Sequence, residues 1–318
     1  MVSLVSVFAT AILPIVAVGG VGYLLGRFRD VQTDALNTIV VYVLAPALVF
    51  HSLATTTLAQ STLARITVAI LLFHVLTVFV AEAAGRLFGV SKTALAAIVL
   101  VAAFPNTGNY GVPVSNFAFG ETGRATAVVY LSVQAVLIWT VGVYIASRGN
   151  AENRLEGVRR VFSVPLIYAV AVALVVRALD LVPPVDSTAM STLQLVGDSA
   201  IPVMLLLLGI QLARTNVGST LSAVAGVVGL KMVVVPFIGI GVALAVGFSD
   251  PTVARTFVLE GAMPSAVTPL ILVGEFADGE VAGVPVMEFV STAIFATTMV
   301  SVVTLTVLIA ILQSGVVV

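Results

Sequence analysis

Apolar runs of about twenty residues follow one another along nearly the whole chain, from Val5–Leu25 at one end to Val284–Leu312 at the other. A helix of about twenty residues, rising 1.5 Å per residue, crosses the roughly 30 Å hydrocarbon core of a bilayer. In lipid a backbone must satisfy its own N–H and C=O groups, which leaves helices or closed barrels. Barrel strands alternate polar and apolar side chains, whereas Leu205–Leu208 and Val233–Val235 are apolar without interruption. The runs are therefore helices, and the expected fold is an all-α polytopic membrane protein. Composition agrees: 60% of the 318 residues are hydrophobic and 9% are charged, against about 25% charged in soluble domains. A net charge of −1 gives no footing for nucleic acid. Without cysteine, disulfides and thiolate metal sites are excluded. No basic region precedes Val5–Leu25, which reads as a first span rather than a cleaved leader.

Ten spans are expected. The first five are about Val5–Leu25, Leu36–Leu53, Leu63–Leu87, Lys92–Phe119 and Ala125–Ser147. The second five are about Val164–Leu181, Leu193–Ala213, Leu221–Val246, a ninth beginning near Pro251, and Val284–Leu312. Between the two sets, Arg148–Arg160 is the most polar stretch and reads as a solvated linker. The expected organisation is a first unit over 1–147, a cytoplasmic linker over 148–163 and a second unit over 164–318.

Two spans are interrupted. Phe104-Pro105-Asn106-Thr107-Gly108-Asn109-Tyr110-Gly111-Val112-Pro113 sits within apolar sequence on both sides. Proline removes an N–H and clashes with the preceding turn, and glycine carries an entropic cost, so no regular helix continues through Pro105, Gly108, Gly111 and Pro113. The ninth span is broken in the same way at Met263-Pro264-Ser265-Ala266-Val267-Thr268-Pro269. Irregular backbone at membrane depth is tolerated only inside protein or along a cavity, so each break reads as part of a site.

The halves echo each other. Pro46 and Pro202 are 156 residues apart, Pro105 and Pro264 are 159 apart, and His74 and Lys231 are 157 apart. Near-constant spacing points to a duplicated five-helix unit. Because five is odd, the second copy is inverted, with broken helices 4 and 9 in matching places. Such pairs mark the binding site of secondary transporters. With both termini outside, inner loops collect Arg27, Arg29, Arg86, Lys92, Arg148, Arg154, Arg159, Arg160 and Arg214, and outer loops Arg65, Arg124, Arg177 and Arg255. That excess sets the expected orientation in the cell membrane.

A broken helix exposes N–H groups at one end and carbonyls at the other, worth about half an elementary charge each. If the two breaks cross, the positive ends can hold a carboxylate and the negative ends a cation. Asn106, Asn109, Tyr110, Ser265 and Thr268 supply neutral donors and acceptors there, with Gln134 on helix 5. Among buried ionisable candidates, Lys231 reads as a counter-charge for an anion or a partner of Glu82 or Glu260, or as a structural ion pair. Glu260, just before Pro264, reads as a sodium or proton site or as a surface ion pair. His74 reads as a titrating group or a hydrogen-bonded core histidine, with Asp198 open to the same two readings. Trp139 reads as packing or an interfacial anchor.

Four stretches together resemble the auxin efflux carrier family, which includes plant PIN-type carriers and prokaryotic organic-acid permeases. They are Pro46-Ala47-Leu48-Val49-Phe50-His51, Pro105-Asn106-Thr107 through Gly111-Val112-Pro113, Gln134 with Trp139, and Met263-Pro264 to Pro269 followed by Glu275. The resemblance implies a bile-acid-symporter-like fold. Helices 1, 2, 6 and 7 would form a scaffold and homodimer contact, with helices 3–5 and 8–10 moving as a transport domain. It places a carboxylate at Asn106 and Gln134. Val49, Ser265 and Gly108-Asn109-Tyr110 depart from the plant pattern, and the long plant cytosolic loop is missing.

The expected function is secondary transport of a small organic anion, by an elevator movement, without an enzymatic step or cofactor beyond a coupling ion. The alternative is a cation/proton antiporter on a related fold, which would want an intramembrane aspartate at the crossing. An intramembrane enzyme would need a nucleophile–base pair or a metal cluster, and two histidines 23 residues apart offer neither.

Overall fold

A computed structural model describes residues 3–147, 162–163, 165–214, 221–277 and 279–318; the expected linker Arg148–Arg160 lies outside the described residues. The chain is mostly helical. We number the helices α1 (Leu4–Phe28), α2 (Thr33–Thr55), α3 (Gln60–Leu87), α4 (Lys92–Ala103), α5 (Thr107–Ala146), α6 (Pro165–Ala178), α7 (Thr188–Arg214), α8 (Leu221–Val246), α9 (Pro251–Gly261), α10 (Thr268–Phe276) and α11 (Val286–Gln313). Among the described residues seven of these, α1, α2, α3, α5, α7, α8 and α11, are long and apolar enough to cross a membrane. Large apolar side chains such as Val68, Val75 and Phe79 of α3 and Val233, Phe237 and Leu244 of α8 lie exposed. Outward apolar faces of this kind suit lipid and not water.

The 40 residues of α5 would extend about 60 Å as one rod, twice the hydrocarbon thickness. Gly120 divides it. Its φ of 64° and ψ of −151° lie where only glycine is at ease, so the chain turns there into two arms, 107–119 and 121–146.

Short polar side chains start several helices. The Ser91 hydroxyl accepts from Ala94 N–H at 3.2 Å ahead of α4. Asp250 accepts from Thr252 N–H at 2.7 Å, with Pro251 in the first turn of α9, where its missing N–H costs nothing. Before α11, Glu280–Val281 and Val284–Pro285 form a two-rung antiparallel ladder, a small departure from an all-helical expectation. Ala282 and Gly283 turn it with φ of 53° and 76°.

In the packing, α1 and α7 touch backbone to backbone. A methyl at Gly22 would run into Leu206 O, and one at Gly209 into Gly19 O. Without side chains at these points the axes approach closely, and dispersion and weak contacts replace the hydrophobic drive that lipid removes. α2 packs on α6 and α7, while α3 packs on α4 and α8, and α5 on α9. Leu95–Ala103, the last nine of the twelve residues of α4, is almost wholly enclosed by protein. That enclosure shields the irregular backbone that follows it from lipid.

Candidate functional site

α4 ends at Ala103 and α9 at Gly261, and the non-helical stretches that follow lie against each other. Pro105 and Ser265 form an antiparallel bridge. Asn106 N–H donates to Pro264 O at 2.7 Å, and Ala266 N–H donates to Phe104 O at 2.9 Å. The bridge withdraws a donor from α4, and Thr297 withdraws one from α9. Asn106 N–H would have closed the last turn of α4 on Ala102 O, and Ser265 N–H, directed instead to Thr297 Oγ1 at 3.3 Å, would have closed α9 on Gly261 O. Both freed carbonyls receive the ammonium of Lys231, fully buried, at 3.0 Å from Ala102 O and 3.4 Å from Gly261 O. Lys231 therefore stands where two negative helix ends converge. The carboxylate partners considered for it in the sequence, Glu82 and Glu260, make their hydrogen bonds to Arg86 and Ser115.

On one side of this crossing the first turns of α5 and α10 border a cavity of about 320 Å³. Its polar lining comes from Asn106, Thr107, Asn109, Gln134 and Thr268, joined by Asn37 of α2 and Gln211 of α7. Among the described residues no charged side chain lines it, and Trp139, Leu131, Met204 and Ile271 supply apolar wall. The Gln134 amide spans the break, donating to Pro105 O at 2.7 Å and Thr107 Oγ1 at 3.1 Å. Those bonds fix which end of the amide carries nitrogen, and its buried Oε1 lies within reach of the His74 ring. Asn106 Nδ2 is buried without a protein partner. A donor left open on a residue that lines a cavity is a group a ligand can satisfy.

On the opposite side the crossing is plugged. Phe73, Tyr130 and Phe257 pack edge-on or tilted with ring centroids 5.8–6.3 Å apart. Glu260 is fully buried here; its Oε1 accepts the Ser115 hydroxyl at 2.6 Å, and Oε2 has no hydrogen-bond partner. The carboxylate fills the space beside Gly111, where any Cβ would collide with it. Tyr110 and Ser265, expected in the binding set, lie outside the cavity lining: the Tyr110 hydroxyl meets Ser301 at 3.1 Å, and Ser265 is occupied by the bridge. Among the described residues no three His, Asp or Glu side chains gather closely enough to hold a metal.

The remaining candidates are scattered. His74 Nδ1 bonds Ile70 O at 2.8 Å within its own helix, beside Phe73 and Phe104. Glu82 pairs with Arg86 one turn on, at 2.8 Å. Asp198 lies 2.6 Å from Arg124, an arginine that the loop count had placed at the surface but that is buried. Asn37 and Gln211 were not singled out from the sequence. Gln211 follows an apolar stretch of α7, whereas Asn37 stands with Thr33 and Asp34 on one face of the first turns of α2, where a polar side chain carries no signal.

Comparison with known proteins gives the family. A family model described as a membrane transport protein matches the chain twice, over residues 7–161 and 154–309. The chain belongs to that family, the auxin efflux carrier family of permeases. Among curated proteins, an uncharacterized transporter of Methanothermobacter thermautotrophicus is 26% identical over 93% of this chain and 94% of its own length. A Rhizobium meliloti protein named "Putative malonate transporter" is 26% identical over 96% of this chain and 95% of its own. An uncharacterized transporter of Methanocaldococcus jannaschii is 22% identical over 82% and 86%. As a member of the auxin efflux carrier family, the chain is a membrane transporter, and the family is one of transporters rather than of enzymes.

Proposed function

We propose that the protein carries a small organic anion, of the dicarboxylate class to which malonate belongs, through an elevator movement with the substrate at the crossing. One observation carries this reading: the bridged breaks at Pro105 and Ser265 border a largely apolar cavity that carries several amide and hydroxyl groups and, among the described residues, no charged side chain. The starts of α5 and α10 bring positive helix ends to the cavity, the usual way to hold an anion without a buried basic side chain. Asn106, Asn109, Gln134 and Thr268 orient the carboxylate, and Asn37 and Gln211 close the far wall. The malonate assignment of the Rhizobium relative supports the substrate class.

In this reading α4 with the 107–119 arm makes one interrupted span, and α9 with α10 makes another. With the 121–146 arm the chain then crosses ten times, as two inverted five-helix repeats with both termini outside. α1, α2, α6 and α7 form the scaffold, through which two copies pair. α3–α5 and α8–α11 move together as the transport domain. Lys231 serves that movement by holding the carbonyl ends of both interrupted spans together, so the crossing travels as one piece. The cavity lies toward the ends of α5 and α7 that this orientation puts inside.

Uptake of labelled malonate into proteoliposomes, compared with malate, indole-3-acetate and a bile acid, tests the reading. Saturable dicarboxylate uptake lost in Asn106→Ala, with normal yield of folded protein, is the expected result. Cation exchange with no response to any acid would overturn it in favour of an antiporter.

A further inference from the structure

Arg124 and Asp198 join helices on opposite sides of the proposed division. Arg124 begins the second arm of α5, four residues after the Gly120 turn, and Asp198 lies within α7. Their side chains meet at 2.6 Å, the arginine 8% exposed and the aspartate 43%. The pair therefore sits at the rim of the bundle, with the cation sealed in and the anion reaching out. Among the described residues the other ion pairs stay within a group: Arg86 with Glu82 inside α3, Arg124 itself with Glu121 at 4.0 Å inside α5, and Arg214 with Asp30 between α7 and the turn after α1. A third ionisable group belongs to the cluster. His51 of α2 is buried with Nε2 unpartnered, in the electrostatic reach of Arg124, Asp198 and Glu121.

The local chain is built for this contact. Gly197, just before Asp198, presses on the backbone of Leu48, where a Cβ would lie 2.8 Å from its Cα. A side chain there would push α7 away from α2 and carry Asp198 with it. Pro202 has no N–H to close the turn on the Asp198 carbonyl, so the helix loosens at Ser199 beside the pair.

Three helices independently place the cluster away from the cavity. Arg124 precedes Gln134 by ten residues on α5, about 15 Å. Asp198 precedes Gln211 by thirteen on α7, about 20 Å, and His51 follows Val40 by eleven on α2, about 16 Å. All three displacements point to the same end of the bundle, since α2 runs antiparallel to α7. The cavity occupies one end, and the ion pair ties scaffold to transport domain at the other.

We propose that Arg124 and Asp198, with His51 beside them, form a latch that closes the end of the bundle away from the cavity mouth and parts when the substrate changes sides. This rests on the elevator reading, in which α5 slides along α2 and α7. The latch holds the state described here, and breaking it shifts the population toward the opposite state.

The chain contains no cysteine, so engineered thiols report without background. Ala135→Cys, at the cavity wall, is labelled with a bulky maleimide in the intact protein. In Arg124→Gln or Asp198→Asn the labelling rate should fall about fivefold as the mouth closes. The swapped pair Arg124→Asp with Asp198→Arg should restore it. If the single variants fail to fold, the swapped pair carries the test. Labelling indifferent to all these changes would overturn the latch. The readout needs no substrate: protection of Ala135→Cys by malonate without any latch effect sinks the latch alone. A latch effect without malonate protection sinks the substrate assignment alone.

Discussion

Lys231 Nζ lies 3.0 Å from Ala102 O and reaches Gly261 O at 3.4 Å, so one ammonium closes the broken ends of α4 and α9. Replacing it by methionine keeps the volume and removes the donors. Two buried carbonyls then stand without partners, at a cost of about 1–3 kcal/mol each. Lys231→Met should lower the melting temperature of detergent-purified protein by several degrees. A melting curve identical to that of the parent protein would show that the carbonyls find other donors.

Asn106 and Gln134 have opposite parts in the same cavity. Asn106→Asp puts a negative charge where an anion is to bind, and should abolish uptake more completely than Asn106→Ala. Gln134→Ala releases Pro105 O and Thr107 and should lower uptake about tenfold, equivalent to about 1.4 kcal/mol of binding. Transport assays on the three variants at matched protein levels give the ranking. An Asn106→Asp protein that transports malonate normally would remove Asn106 from the site.

The contact of α1 with α7 sets a paired expectation. Gly209→Ala drives a methyl into the backbone around Gly19 and Tyr23, and overpacking of that kind costs about 1–3 kcal/mol. Gly20→Ala, one residue from the contact with open space around it, should stay within about 0.5 kcal/mol of the parent. Equal melting points for the two variants would contradict the close approach.

Gly111 and Glu260 are coupled through space. Gly111→Ala should push the Glu260 carboxylate off the Ser115 hydroxyl and destabilise the protein. Adding Glu260→Ala makes room and should recover part of the loss. A double-mutant cycle is expected to return an interaction of about 1–3 kcal/mol. Strict additivity would mean that the two side chains do not share that space.

The breaks at Pro105 and Pro264 were legible because proline and glycine act locally, on the residues beside them. The bridge between Pro105 and Ser265 was not, because backbone hydrogen bonds across the fold leave no mark on side-chain identity. Lys231 was legible as an isolated charge in lipid, but its partners are carbonyls, which every residue has. Arg124 counted as a loop charge because it follows Gly120 at a turn; only the neighbouring α7 shows that it is buried against Asp198. Tyr110 and Ser265 shared the polar stretches with Asn106 and Thr268 yet lie outside the cavity lining, since a bridge and a tight first helical turn aim successive side chains in different directions. Asn37 and Gln211 were ordinary positions until tertiary packing set them around one cavity, and Trp139, singled out in the sequence as packing or an interfacial anchor, supplies apolar wall there.

The backbone pairing at the crossing also bears on how the protein is made. Pro105 and Ser265 are separated by about 160 residues, so the ribosome delivers the first break long before its partner exists. At a synthesis rate of about 5–20 residues per second, Asn106 N–H and Phe104 O wait on the order of ten seconds for Pro264 O and Ala266 N–H. During that interval the half-made chain holds unpaired peptide groups where hydrocarbon cannot satisfy them. The nascent first half therefore needs water, lipid headgroups or a membrane chaperone at that spot, and the second half completes it as an assembly step between two pieces of one polypeptide.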